Sequence, residues 1–316
     1  MARLLQIASR ILIGELPNFW LYNPSPTSYD LTRPPAPHFP PPSPSNTLRL
    51  ETTKEPVLLS PNHTALVIVD MQNLFLSPYL GAAPDSPGNL AKKVLVDTAI
   101  PAARKAGIRV AWLNWGFAEH ELESVPPSVI KAFGFDKQRQ EFVDWGVLPQ
   151  DNLSAADVRR RTEGLGFDMG RVDLGDGTSV EAGRMLMRDT WNMQLPPDLN
   201  RIYREGRELP DKPDLWIHKN RMSGFWAGNR EAVETLKEAG IKTLLFSGTK
   251  TDMCVMASLL DAWHEGFDVI LLKDACGTTS PDYASEAVAF NCARIWGFVT
   301  NSSDLKRGVE QMLNTS

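Results

Sequence analysis

The chain has 316 residues, 42% hydrophobic and 22% charged, enough for one large buried core or two small ones, and a single globular catalytic unit with additions fits best. A formal net charge of −5, with Lys and Arg interspersed among Asp and Glu, provides no basic stripe and excludes nucleic acid as a partner. Three cysteines, Cys254, Cys276 and Cys292, cannot all pair and lack metal-type spacing, and no apolar run reaches the roughly 18 residues of a membrane span, so a reducing, cytoplasmic location without membrane contact is expected.

The start, MARLLQIASRILIGEL, carries two arginines before its first acid and leaves mitochondrial or secreted export open, although Arg10 interrupts any secretory apolar core. An amphipathic helix packed on the domain is the expectation for this stretch. Residues 1–61 read as an N-terminal extension containing a Pro-rich arm at 34–45. Proline donates no ladder hydrogen bond and favours extended geometry, so a strap over the domain or a neighbouring subunit is expected, with an SH3-type ligand as the alternative.

From residue 62 onward strands and helices alternate. TALVIVD at 64–70 is an unbroken apolar run of the kind buried on both faces; a helix over about 89–106 and IRVAWLN at 108–114 follow. Later come DLWIHK at 214–219, a helix at 229–240, KTLLFSG at 242–248, a helix after Cys254, FDVILLKDA at 267–275, a helix near 281–292, RIWGFVTNS at 294–302 and a last helix over about 303–314. This is the rhythm of right-handed βαβ units and predicts an α/β fold, a six-stranded parallel sheet between helical layers. Between about 117 and 213 the pattern dissolves into polar, glycine-containing sequence, an insertion with a small hairpin expected from VDL at 172–174 and SVEA at 179–182. Leaving the sheet after its second strand, the insertion starts at the rim and suits a lid or a subunit contact.

Chemistry concentrates at strand ends. Asp70 ends the first core strand, Lys219 another, and Cys254 follows the turn after KTLLFSG, at the head of a helix. A helix start stabilises a thiolate and is expected to lower the thiol pKa. A free cysteine is also among the most buried residue types, so Cys254 alone decides little; convergence with a carboxylate and an ammonium on one sheet edge is what points to a nucleophile. Asp252 reads as a helix-start cap, and His218 faces away from Lys219 by strand alternation. Trp115, Phe117, Phe225 and Trp226 lie just beyond strand ends and are candidates for a substrate pocket, with Asn73 and Gln72 as polar contacts.

ALVIVDMQN at 65–73, KNRMSGF at 219–225 and GTKTDMCV at 248–255 resemble the three signature blocks of the isochorismatase-like cysteine hydrolase family, with the general look of a fungal member. The resemblance implies a Rossmann-like three-layer α/β/α fold with strand order 3-2-1-4-5-6. It makes Cys254 the nucleophile, Asp70 the general base and Lys219 the group that orients both. It further implies an oxyanion hole from the backbone N–H groups of Lys250 and Cys254, reached through a cis bond at Thr249–Lys250. The implied activity is hydrolysis of a small amide or ureido-type C–N bond through a thioester. Alternatives are isochorismate-type vinyl-ether hydrolysis, whose practitioners commonly lack the cysteine, and a non-catalytic member. Metal sites in some relatives use an aspartate and two histidines after strand two; NWGFAEHELE at 114–123 offers only His120, so no metal, no other cofactor and no nicotinamide substrate is expected. A small-molecule substrate and a homo-oligomer, dimer or tetramer, complete the expectation.

Overall fold

A computed structural model describes residues 5–7, 10–34, 47–133 and 164–315. Its central sheet holds six strands in the order β11-β8-β7-β12-β13-β14, which in chain order is 3-2-1-4-5-6. The strands are β7 (Thr64–Val69), β8 (Arg109–Trp115), β11 (Leu215–Lys219), β12 (Thr243–Thr249), β13 (Asp268–Gly277) and β14 (Phe298–Thr300), paired parallel throughout.

Alternation along these strands builds two cores. Leu66, Ile68, Leu245 and Ile270 face one side, where they meet Leu95, Ile100 and Ala103 of the helical run 87–106 and Leu305, Val309 and Met312 of the helix Ser302–Asn314. Val67, Val69, Leu244 and Phe246 face the other, against the helices Glu231–Glu238 and Met256–His264. Burial on both faces explains why these strands read as continuous apolar runs. The order in which strands are added reverses between β7 and β12, so the segments leaving their carboxyl ends diverge and leave a crevice above the sheet. Their approach is close: a Cβ at Gly248 would stand 2.1 Å from the Val69 carbonyl oxygen, and its φ of +114° suits glycine.

The N-terminal residues differ from expectation. Arg10–Glu15 is strand β2 and not an amphipathic helix, pairing with β3 (Asn18–Pro24), which pairs in turn with β4 (Thr27–Asp30). The β-branched Ile11 and Ile13 favour extended backbone, and Pro17 and Pro26 sit in the two connecting turns. With β1 (Leu5–Ile7), β5 (Leu48–Leu50) and β6 (Val57–Leu59) they form a second sheet. Leu31, Leu48, Leu50, Val57 and Leu59 join the same core as Leu66 and Ile68. The expected polyproline segment lies outside the described residues.

In the insertion the hairpin is present, as β9 (Arg171–Asp173) and β10 (Ser179–Glu181). A helix not expected from sequence spans Pro197–Arg207; only Leu199, Ile202 and Gly206 are buried in it, too sparse a stripe to stand out among charged neighbours.

One buried ionic cluster ties the second sheet to the first. Asp268, at the start of β13, accepts from Arg33 Nη1 at 2.6 Å and Nη2 at 2.7 Å, from the Trp20 indole at 2.7 Å and from the Thr243 hydroxyl at 3.0 Å. Removing one partner of such a buried pair strands the other charge. Arg33→Met should therefore lower unfolding free energy by about 3 kcal/mol in guanidinium titration; an unchanged midpoint would show that the cluster does not hold the two sheets together.

Candidate active site

Asp70 follows β7 directly and adopts a left-handed conformation, φ +52°, which ends the strand and turns the chain away from the sheet. Aspartate tolerates that region better than most residues, and such conformations gather at functional sites. Lys219 closes β11, two strands away. Its Nζ stands 3.0 Å from Asp70 Oδ2, with side chains 0% and 1% exposed. The ammonium also donates to the carbonyl oxygens of Arg221, 3.2 Å, and Met222, 3.1 Å. Asp70 Oδ1 accepts from the Trp115 backbone N–H at 3.0 Å, and the Cys254 thiol is close enough to the carboxylate to lower its pKa.

Burial pushes the Asp70 carboxyl above the usual carboxylate range; Lys219, the Cys254 thiol and the Trp115 N–H pull it partly back. Cys254 corrects the expected pKa. It lies in the wide turn Thr251–Val255 that precedes the helix Met256–His264, and burial raises its thiol to about 12, with Asp70 adding to the rise and Lys219 opposing it. A helix start is too weak to offset desolvation here. The resting group is a thiol beside a carboxylate and an ammonium.

Thr249–Lys250 is cis, as the signature block implies, and places Lys250 at the entrance of the turn carrying Cys254. Asp252 does not cap the helix; it accepts a hydrogen bond of 2.5 Å from the Thr278 hydroxyl. His218 does point away from Lys219. The Trp216 indole donates to its Nε2 at 3.2 Å, and burial lowers its pKa to about 4.

The pocket candidates divide. Trp115 and Phe117 stack at 5.8 Å and belong to a cluster with Met169, Met185 and Met187 of the insertion, against which Cys254 also packs. Trp226 stays partly exposed on the rim, its indole on Asn220 and the Arg221 guanidinium 4.8 Å above its ring. Phe225 lies instead in the core under the sheet, 5.9 Å from Phe246 and 6.0 Å from Phe267, because the tight Ser223–Gly224 turn drives it inward. The Asn73 amide is taken by the Trp191 carbonyl at 2.9 Å, so it fastens the insertion to the segment after Asp70. Gln72 is likewise occupied, by Trp115 and Met193. A groove of about 850 Å³ runs past Tyr79, Leu90, Lys92, Trp191 and Arg204; of the candidates only Asn73 borders it, and it holds no acid–base pair comparable to Asp70 and Lys219. Among the described residues no group of three or more His, Cys, Asp or Glu is placed to hold a metal ion.

An isochorismatase domain model matches residues 186–302, which include Lys219 and Cys254. The ureidoacrylate amidohydrolase RutB of Rhizobium rhizogenes is 27% identical over 276 residues, 86% of this chain and 93% of its own length. The chain is thus similar to members of the isochorismatase-like cysteine hydrolase family. RutB of Pseudomonas savastanoi pv. phaseolicola is 28% identical over 258 residues, 81% of this chain and 87% of its own length. A cysteine hydrolase structure from Pseudomonas syringae pv. phaseolicola 1448A shares the fold, with a TM-score of 0.52 and 17% identity across 84% of this chain and 98% of its own.

A thiol held near 12 makes a definite kinetic signature, since the thiolate is the alkylated form. Iodoacetamide labelling of Cys254, read by intact mass, should accelerate about tenfold per pH unit from pH 7 to 10 without levelling off. Asp70→Asn removes a group that raises the thiol pKa and should speed labelling at pH 8, whereas Lys219→Met removes one that lowers it and should slow labelling. A plateau below pH 8 in the wild-type protein would contradict this electrostatic picture.

Proposed function

We propose that this protein hydrolyses a small amide or ureido-type C–N bond, with Cys254 as nucleophile, Asp70 as general base and acid, and Lys219 as the ammonium that orients both. The observation that carries this reading is the buried Asp70–Lys219 pair at 3.0 Å, with the Cys254 thiol acting electrostatically on the same carboxylate. The related RutB proteins are ureidoacrylate amidohydrolases, which agrees with that bond class.

The steps follow from the protonation states. As Cys254 Sγ attacks the substrate carbonyl carbon, Asp70 takes the thiol proton, which a carboxylate beside an ammonium accepts without creating a new net charge. The carbonyl oxygen becomes an oxyanion, for which the backbone N–H groups of Lys250 and Cys254 are the proposed donors. Asp70 passes its proton to the leaving nitrogen, the C–N bond breaks, and an amine or ammonia departs from a thioester. Water then gives a proton to Asp70 and attacks the thioester; collapse returns the proton to sulfur and releases the acid. A vinyl-ether hydrolysis makes no use of the thiol, so the Cys254–Asp70 contact favours C–N chemistry.

Trp115 and Phe117 are the proposed aromatic wall beside the reacting groups, with Trp226 at the rim. The homo-oligomer expected from sequence finds support in one helix and the turn after it, where Tyr283, Phe290 and Ile295 are 72%, 60% and 61% exposed. Three free thiols suit a reducing cytoplasm.

Across a panel of small amides and ureido compounds, Cys254→Ala should abolish turnover of any substrate, and Asp70→Asn should lower kcat about 10³-fold while the protein stays folded. Retention of wild-type kcat by Cys254→Ala would rule out the thioester route.

A further inference from the structure

Resting on this reading of the triad, we propose that Trp115 is a further catalytic residue, engaging Asp70, Lys219 and Cys254 at once, and that Gln72 is the positioning residue that fixes it. The sheet order explains how one residue reaches all three. β8 lies between β11 and β7, so its last residue, Trp115, stands between Lys219 at the end of β11 and Asp70 just past β7.

Each contact uses a different part of the residue. The backbone N–H donates to Asp70 Oδ1 at 3.0 Å and holds the carboxylate in the plane that offers its other oxygen to Lys219. The face of the ring lies 3.5 Å below Lys219 Nζ, a cation–π contact made where water is excluded and therefore stronger than at a surface. Cys254 packs against the same aromatic cluster, and the indole N–H, the only donor tryptophan has, is the group proposed to serve its sulfur. As sulfur acquires negative charge, that N–H stabilises the thiolate more than the thiol, which favours the attacking form.

Gln72 grips the same residue from both sides of its peptide unit. Its Oε1 accepts from the Trp115 N–H at 3.0 Å, and its Nε2 donates to the Trp115 carbonyl at 2.9 Å and to the Met193 carbonyl at 2.8 Å. Fully buried, with both ends of its amide in use, Gln72 has no polar group left for substrate. Through Met193 it also locks the insertion to the reacting groups. Stacking of Phe117 at 5.8 Å and an edge contact from Phe133 at 4.9 Å leave the Trp115 ring little freedom to turn.

Two near-isosteric variants separate these roles from packing. Trp115→Phe keeps an aromatic face under Lys219 and the backbone N–H, but loses the donor to sulfur. Gln72→Met keeps volume and loses the amide's hydrogen bonds. The readout is the pH profile of Cys254 alkylation by iodoacetamide, followed by intact mass on the full chain and restricted to variants that melt within about 5 °C of wild type. This readout needs no substrate turnover, so its failure is distinct from failure of the proposed hydrolysis. Trp115→Phe should label about tenfold more slowly at pH 8, its profile displaced about one unit upward; Gln72→Met should shift in the same direction by less. A folded Trp115→Phe whose profile superposes on wild type would overturn the catalytic role. A folded Gln72→Met that superposes while Trp115→Phe shifts would overturn the positioning role.

Discussion

An ammonium and a carboxylate 3.0 Å apart, both withdrawn from water, are the constraint around which this molecule is arranged. Each charge alone in that place would be costly to desolvate, and the pair is tolerable because each charge faces the other and further polar partners. Lys219 donates to two carbonyl oxygens of the loop that follows it, and Asp70 accepts from a backbone N–H. Lys219 closes β11 and Asp70 follows β7, about 150 residues apart in sequence. The pair therefore exists only when β11, β8, β7 and β12 are in register, and it reports correct folding of the sheet as well as chemistry.

The same environment sets the reactivity of Cys254. Desolvation keeps the sulfur protonated, and Asp70, itself raised by burial, is a stronger base than an exposed carboxylate. In the proposed mechanism proton transfer between the two is coupled to attack, and no standing thiolate need be maintained against oxidation or stray electrophiles. This differs from cysteine sites that rely on a preformed ion pair. It places the control of reactivity in the groups lining the sulfur, which here include an aromatic ring and a methionine-rich cluster supplied largely by the insertion.

Periodicity and β-branched content were sufficient to find the six strands of the main sheet, because strands buried on both faces cannot hide their apolar runs, and strand order with the signature blocks brought Asp70, Lys219 and Cys254 to one edge. Other features depend on contacts distant in sequence. Nothing local in MARLLQIASRILIGEL distinguishes a strand from an amphipathic helix; the partner strand β3 and the Asp268 anchor of the sheet it builds decide it. Phe225 looked like a rim aromatic because it follows a strand, yet a two-residue turn sends it under the sheet. The thiol pKa was misjudged because a helix start is visible in sequence and desolvation is not. Gln72 was legible as polar and close to the base, while its bonds to Trp115 and Met193 required the structure.

The central claim is that a covalent thioester forms on Cys254. Rapid-quench intact-mass spectrometry with an amide that the wild-type protein turns over tests it most directly. The account predicts a transient mass increase equal to the acyl group, mapped by peptide digestion to Cys254 and absent from Cys254→Ala. Turnover without any such adduct, at a rate that Cys254→Ala preserves, would contradict it.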